Sequence, residues 1–349
     1  MTTMKTPTLL TIVTFLIFAC SALGQTPVLD ALRQKAEQGD ADAQAKLGRL
    51  YAKFDADPAV KRDDTEALKW LRKSAEQGNA KGQNNLGNMY LSGQGVDKNE
   101  IEALKWYKLA AAQDNPAAMW NIGDMYAAGK CNLPKDDKSA KEWYQKAFAG
   151  FKKLADQGDA TGQYNLGAMY AGGWGVSKSP STAAKWYRKA ADQGIADAQA
   201  ELGYMYATGQ GVSKNQSEAI KWARKAADQG LASAQFNLAG VYATGRGVPK
   251  DLTEAAKWVR KAADQGLEVA QINLGWLYID GNGVPKDAAT GASWWLKAAN
   301  QGNAKAQFLL GRMYFNGRIA EQDKVKAKFW LAKSAAQGNK QAAELLKSL

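Results

Sequence analysis

Residues 198–230 read AQAELGYMYATGQGVSKNQSEAIKWARKAADQG, and closely similar text returns along most of the chain. Five tryptophans mark the interval, because Trp186, Trp222, Trp258, Trp294 and Trp330 follow one another every 36 residues. A self-similar period in the thirties is the sequence signature of stacked helical repeats. The repetition therefore predicts an all-α chain in which each copy contacts its neighbours.

Eight copies align on a leucine or isoleucine that is followed four residues later by a tyrosine. These positions are Leu47, Leu86, Ile122, Leu166, Leu202, Leu238, Leu274 and Leu310. We expect about eight 36-residue helix-turn-helix repeats that form an α/α solenoid superhelix. The partial copy from Gln337 to Leu349 is predicted to be a C-terminal capping helix, and residues 25–349 a single elongated domain.

Each copy carries start and stop signals for two helices. The candidate caps of the first helices are Asp40, Asn79, Asn115, Asp159, Asn303 and Asn339, whose side-chain oxygens can accept first-turn N–H groups. Glycine in elements such as Gly209–Val212 predicts the end of the first helix. A cap three residues before a glutamate, as in Asp63–Glu66 and Asn215–Glu218, predicts a capping box at the second helix.

The third copy departs from the common length. Trp143 and Trp186 are 43 residues apart, and the seven additional residues lie between Trp143 and Gln157. Seven residues are close to two turns of α-helix. The spacing therefore predicts a longer second helix in this copy, with Phe148 and Phe151 on its apolar side.

Residues 1–24 have the organisation of a secretory signal peptide. Lys5 precedes an apolar run from Leu9 to Ala19, and small residues follow just before Gln25. The interpretation we adopt is cleavage before Gln25. In the alternative, a lipoprotein, Cys20 becomes the lipidated first residue. Both alternatives predict an exported protein, either periplasmic or secreted.

The composition removes several kinds of chemistry. The chain has no histidine and two cysteines, Cys20 and Cys131, so triads and metal sites that require imidazole are excluded. We predict no cofactor, no metal and no catalytic residue. The Gly-x-Gly-Val-x-Lys turns lack the Gly-Lys-Ser/Thr ending of a phosphate-binding loop. Cys131 is either an exported thiol that joins another chain or a small buried apolar residue.

The net charge of +12 is concentrated on the second helices, as at Lys225 and Lys261. Such a face could bind a polysaccharide, lipid headgroups or nucleic acid. Glutamates three residues before lysines, as in Glu66 and Lys69, instead favour a solvated and partly balanced outer face. We adopt the solvated interpretation, and export argues against a nucleic-acid partner.

The pattern Ala-x-Ala-Gln-x-x-Leu-Gly-x-Met-Tyr-x-x-Gly-x-Gly-Val, followed by Ala-x-Lys-Trp-x-x-Lys-Ala-Ala-x-Gln-Gly, resembles the Sel-one-like repeat family, which is similar to tetratricopeptide repeats. The resemblance covers approximately residues 37–349. The resemblance implies an α/α superhelix that acts as an adaptor. It also implies that exported bacterial members are often located at the envelope or directed toward a host.

A row of variable residues on the first helices is the candidate binding site. In tetratricopeptide-like stacks these helices line the concave side, where apolar pockets and amides could receive an extended segment of another protein. The predicted groove residues are Trp120, Tyr164, Tyr204, Phe236, Trp276, Phe308, Asn85, Asn121, Asn165, Asn237 and Asn273. An alternative is that the aromatic rings fill gaps between repeats while the asparagines bond to neighbouring loops.

The sequence thus predicts a non-enzymatic protein–protein interaction scaffold of the bacterial envelope, or a secreted one. The partner is another protein, and the mature chain has no transmembrane segment. A carbohydrate or anionic-polymer binding protein is the alternative of a different class. A cell-wall hydrolase is a third class, for which the sequence offers only scattered carboxylates.

Overall fold

The computed structural model describes residues 27–52, 60–131, 133–317 and 321–349. Within these ranges the regular secondary structure consists of 18 α-helices without a strand. They are α1 (Pro27–Glu37), α2 (Ala41–Tyr51), α3 (Asp64–Glu76), α4 (Ala80–Ser92), α5 (Glu100–Ala111), α6 (Pro116–Ala128), α7 (Asp137–Asp156), α8 (Ala160–Gly172), α9 (Pro180–Asp192), α10 (Ala196–Thr208), α11 (Gln216–Asp228), α12 (Ala232–Thr244), α13 (Leu252–Asp264), α14 (Glu268–Asp280), α15 (Ala288–Asn300), α16 (Ala304–Asn316), α17 (Lys324–Ala336) and α18 (Lys340–Lys347). The predicted all-α class is confirmed, while the predicted signal peptide and Cys20 lie outside the described residues.

The chain divides into two compact units, one ending at Ser179 and one beginning at Pro180. Within each unit the helices pack in chain order, as α2 packs on α3 and α3 on α4, or α10 on α11 and α11 on α12. Packing between consecutive helices is the arrangement of an α/α solenoid, so the predicted fold is confirmed. The prediction of one domain over 25–349 stays a prediction. None of the described helices is both long and apolar enough to cross a bilayer.

The predicted helix ends follow the local cap chemistry. All six caps expected for first helices accept a backbone N–H bond in the first turn, namely Asp40, Asn79, Asn115, Asp159, Asn303 and Asn339. The glycine expected to end α10 does so, since Gly209 adopts φ 79° as the C-cap. The partial copy also forms its helix, α18.

The capping box of the second helices forms only in part. Asp63 Oδ1 accepts the N–H of Glu66 at 3.0 Å, as predicted. The N–H of Asp63, however, donates to the carbonyl of Tyr51 at 3.0 Å, so the glutamate is not needed there. The Glu66 carboxylate instead accepts from Trp70 Nε1 at 2.9 Å. The same exchange occurs at Asn215, whose N–H donates to Tyr206, and at Glu218, which accepts from Trp222.

Hydrogen bonds between glutamine side chains connect the helices in six of the copies. Gln199 is 4% exposed, and its Nε2 donates to the carbonyl of Ala191 at the end of α9, 3.1 Å away. Its Oε1 accepts from Nε2 of Gln229, which follows α11, at 2.7 Å. Equivalent glutamine pairs are Gln44–Gln77, Gln83–Gln113, Gln235–Gln265, Gln271–Gln301 and Gln307–Gln337. The shared glutamine therefore satisfies the carbonyls at one helix end and fixes the position of the next pair.

The long second helix predicted for the third copy is confirmed. Helix α7 has 20 residues, whereas the second helices α11 and α13 have 13 each. Phe151 on this helix is 4% exposed. Phe148 packs edge-on against Tyr170 with ring centroids 5.5 Å apart. The two additional turns thus remain on the apolar side, as the spacing indicates.

Candidate interaction surface

An aromatic cluster occupies the first unit around Trp120 on α6. Its ring lies 5.2 Å from Tyr144 and makes an edge contact with Trp174 at 4.8 Å. Trp120 Nε1 donates to Asp124 Oδ2 at 2.9 Å, and the Tyr144 hydroxyl donates to Asp124 Oδ1 at 2.5 Å. Burial and this bond to a carboxylate raise the pKa of Tyr144, so the phenol stays a donor. Trp174 is 40% exposed and is the accessible ring of the cluster.

The predicted asparagines of the first unit are buried or bonded within the protein. Asn121 Nδ2 donates to Asn84 Oδ1 at 3.0 Å and to Asn88 Oδ1 at 3.2 Å. Asn85 is 2% exposed and therefore lies in the interior. Asn165 bonds to the carbonyl of Thr161 on its own helix at 2.8 Å. The Asn85 amide is enclosed and the Asn121 amide is already bonded, which favours the alternative that these two asparagines bond within the protein and not to a partner.

The predicted residues of the second unit differ in accessibility. Tyr204 is 55% exposed and Asn237 is also exposed, while Phe236 and Trp276 are half-buried. Trp276 makes an edge contact with the buried Trp295 at 4.9 Å. Phe308 is only 8% exposed because it packs against Leu331 and helix α18, which removes it from an exposed surface. Tyr164, in the first unit, is half-buried, and Asn273 bonds to the carbonyl of Val269 at 2.9 Å.

A cavity of about 330 Å³ lies among α10, α11 and α12. It brings together two predicted residues, Tyr204 and Asn237, with Ala200 and Ala223. Neither alanine is among the predicted groove residues, which are all aromatic residues or asparagines. The signal was nevertheless present, since Ala223 is the smallest residue to follow the tryptophan of a second helix in any copy.

The basic face is largely engaged with the protein itself. The predicted pairing of glutamates with lysines three residues later is confirmed at Glu66–Lys69, Glu102–Lys105, Glu218–Lys221 and Glu254–Lys257, with N–O distances of 2.9, 3.3, 3.2 and 3.1 Å. Other lysines cover tryptophan rings: Lys225 Nζ lies 4.2 Å from the ring centre of Trp222, and Lys261 Nζ lies 3.9 Å from that of Trp258. Lysine stems that cover apolar rings while their charges face water support the solvated interpretation.

Cys131 lies in the turn after α6 with φ 62° and is half-buried. Its Sγ is 3.1 Å from the carbonyl oxygen of Glu100. Burial and the neighbouring Glu100 carboxylate raise the pKa of the thiol, which disfavours the reactive thiolate. Among the described residues, no group of three or more cysteine, aspartate or glutamate side chains is placed to hold a metal ion.

The solved structures that are similar to this chain include two that are more than 30% identical to it. A Sel1 repeat protein from Oxalobacter formigenes is 34% identical, with a TM-score of 0.56 over 95% of this chain and 92% of the other. The second, c5321, is described as a protective antigen of uropathogenic Escherichia coli with an SLR fold. It is 35% identical, with a TM-score of 0.51 over 91% of this chain, which spans 66% of its length. No curated protein is significantly similar in sequence.

Helix pairs that repeat along the chain and pack in chain order define the class of α/α repeat proteins. The Sel1 repeat model matches eight consecutive segments, residues 41–79, 80–115, 116–150, 160–195, 196–231, 232–267, 269–303 and 304–339. The chain therefore belongs to the Sel1 repeat family. Proteins of this family are typically interaction scaffolds and are generally non-catalytic.

Proposed function

We propose that this protein is an exported, non-enzymatic scaffold that binds another protein through aromatic side chains on its first helices. The observation that carries the proposal is the set formed by Tyr204, Phe236 and Trp276 in the second unit. Tyr204 is 55% exposed and the other two are half-buried on packed helices. Aromatic anchors held by rigid elements supply most of the binding energy at protein interfaces. In the first unit, the exposed ring is that of Trp174, in the turn that follows the first helix α8.

The partner segment is extended and uses its backbone as well as its side chains. Asn237 is exposed and makes no side-chain hydrogen bond with the described residues. The side-chain amide of Asn273 donates one N–H to its own helix, and its side-chain oxygen is available as an acceptor. A carboxamide offers two donors and an acceptor, which suits the N–H and C=O groups of an extended chain. The accessible amides therefore support recognition of a peptide backbone beside the aromatic anchors.

The direct test compares the aromatic surface with the basic face. We expect the double variant Phe236→Ala/Trp276→Ala to weaken partner binding by at least roughly 2 kcal/mol, because two anchors are lost. The variant Lys225→Glu/Lys261→Glu should change binding little, since both ammonium groups lie over rings of their own helices. Quantitative mass spectrometry of proteins retained from an envelope extract measures both.

Circular dichroism and thermal unfolding serve as the control, because both variants must remain folded for the comparison. If the aromatic variant retains the same partners while the charge-reversed variant loses them, the basic face is the binding surface and the proposal is wrong. Binding by the wild type that falls steeply as the salt concentration rises would point to the same conclusion, since exposed charges are screened.

Carbohydrate binding is a second candidate function, favoured by the exposed Trp174. This ring borders a cavity of about 580 Å³ that is also lined by Asp137, Lys141 and Gln145. An exposed ring beside polar groups could hold a sugar face and its hydroxyls. Binding of soluble peptidoglycan fragments that Trp174→Ala abolishes, without dependence on salt, would support this candidate over the protein partner.

Export is part of the proposal and has its own test. The similarity to c5321, described as a protective antigen, supports a location outside the cytoplasm. We expect mass spectrometry of the mature protein to show an N-terminus at Gln25, because small residues precede it as in signal-peptidase sites. A diacylglycerol-modified Cys20 would instead establish the lipoprotein. An intact Met1 in the cytoplasm would contradict both.

A further inference from the structure

The cavity in the second unit exists because one helix pair lacks a side chain that other pairs have. In five other copies, the residue after the second-helix tryptophan packs over a glycine of the first helix. Leu71, Tyr107, Tyr144, Trp295 and Leu331 lie over Gly48, Gly87, Gly123, Gly275 and Gly311. These five covering side chains are all buried. Filling this space is therefore a regular feature of the repeat.

In the α10–α11 pair both positions are small, with Gly203 facing Ala223. The atoms nearest to a Cβ built on Gly203 are backbone atoms of Ala219 and Ala223 and the Cβ of Trp222. The following pair has Val259 after its tryptophan, and there alanine replaces the glycine. The missing side-chain volume appears as the cavity of about 330 Å³, which is within the size range of ligand pockets.

The α14–α15 pair shows what fits this space. Trp295 is 1% exposed, lies over Gly275 and packs edge-on against Trp276 with centroids 4.9 Å apart. Its Nε1 donates to the carbonyl of Ile272 at 3.1 Å. The counterparts in the α10–α11 pair, 72 residues earlier, are Gly203, Tyr204 and Ala200. The cavity thus has the same glycine wall, an aromatic neighbour in Tyr204 and a backbone carbonyl at Ala200. It lacks the ring that Trp295 supplies in the α14–α15 pair, because Ala223 stands at that position.

We propose that this cavity takes an aromatic side chain, tryptophan or tyrosine, from the partner polypeptide, an inference that rests on the proposed function. The partner's ring lies over Gly203 and packs against Tyr204, in the same way that Trp295 lies over Gly275 and packs against Trp276. Edge-on packing of two rings is favourable beyond the area that it buries. Asn237 and Arg246, both exposed, lie at the rim, where an amide and a guanidinium suit a peptide backbone and a neighbouring carboxylate. The partner sequence is therefore an aromatic residue beside an acidic one.

The test uses the whole protein labelled with ¹³C at alanine methyl groups. Ala200, Ala207, Ala223 and Ala234 line the cavity, so their methyl resonances report an aromatic ring directly. We expect N-acetyl-tryptophan amide to shift these resonances, while N-acetyl-leucine amide, which has the same backbone without a ring, leaves them nearly unchanged. Placing Asp on both sides of the Trp in a capped tripeptide should tighten binding about two- to fivefold relative to Lys on both sides.

Filling the cavity supplies the matched variants. Ala223→Tyr introduces the residue that Tyr107 and Tyr144 provide in other copies, so it should fold and abolish the response to the tryptophan probe. Ala223→Ser keeps the cavity open and should retain the response. Tyr204→Ala changes an exposed residue and should weaken binding about two- to tenfold, whether or not Ala223→Tyr folds. Equal shifts in the wild type and Ala223→Tyr, or no shift at a saturating probe concentration, overturn the proposal.

The outcome is separable from that of the proposed function. If Phe236→Ala/Trp276→Ala loses its partners while the tryptophan probe causes no shifts at the cavity, the aromatic surface binds protein and the cavity is not used. If the probe binds but the double aromatic variant retains every partner, the cavity binds an aromatic ring while Phe236 and Trp276 are not part of the binding surface. The prediction of an acidic residue beside the aromatic one is wrong if the Lys-flanked tripeptide binds more tightly and Arg246→Glu does not change that preference.

Discussion

Replacement of Trp222 by alanine is expected to lower the free energy of unfolding by about 3–5 kcal/mol. The side chain is 2% exposed and is among the largest fully buried in the described chain. Its Nε1 donates to Glu218 at 3.0 Å, and the guanidinium carbon of Arg188 lies 4.9 Å from the centre of its ring. Truncation therefore leaves a cavity, removes one hydrogen bond of the Glu218 carboxylate and removes one cation–π contact of Arg188.

Chemical denaturation gives the magnitude of the Trp222→Ala effect, and hydrogen exchange gives its location. Because stability in a linear repeat passes between neighbours, protection should fall most in α9 to α12. Tyr204→Ala, which removes a mostly exposed ring of the same unit, is the control and should change the free energy of unfolding by less than about 0.5 kcal/mol. Uniform protection along the chain after Trp222→Ala would contradict the repeat energetics.

Replacement of Gly283 by alanine is expected to destabilise the protein by roughly 2–4 kcal/mol. The residue adopts φ 73°, which an L side chain rarely tolerates, and a Cβ there would overlap the carbonyl oxygen of Leu252 at the start of α13. The turn after α14 therefore approaches the preceding second helix closely through its second glycine. Both the turn and the packing of α13 must shift to accept a methyl group.

Two other glycines separate the contributions to the Gly283→Ala effect. Gly302 has φ 99° and no atom within 4 Å of a built Cβ, so alanine there should cost only the conformational strain of about 1–2 kcal/mol. Gly240 lies inside α12 with open space around it, and alanine should stabilise the helix by about 0.5–1 kcal/mol. Thermal unfolding of the three variants measures the order. A loss at Gly283 no larger than that at Gly302 would show that the close approach to Leu252 carries no cost.

The sequence alone determined the helices and their boundaries, because the information there is local. A fixed repeat length, a cap such as Asn79 and a glycine such as Gly209 act within a few residues, and each has its predicted structural result. The seven additional residues of the third copy were placed correctly for the same reason, since they continue one helix. The Glu66–Lys69 pair likewise depends only on spacing along a helix.

Tertiary structure decided the partners of side chains whose neighbours are distant in sequence. Glu66 bonds to Trp70 because the carbonyl of Tyr51 already accepts the N–H that the capping box would have used. Phe308 and Tyr204 belong to the same variable row of the first helices. Packing against Leu331 and α18 buries Phe308, whereas Tyr204 is exposed beside a cavity. That cavity results from the coincidence of Gly203 and Ala223 on facing helices, and a pattern read along one helix does not contain the volume between two.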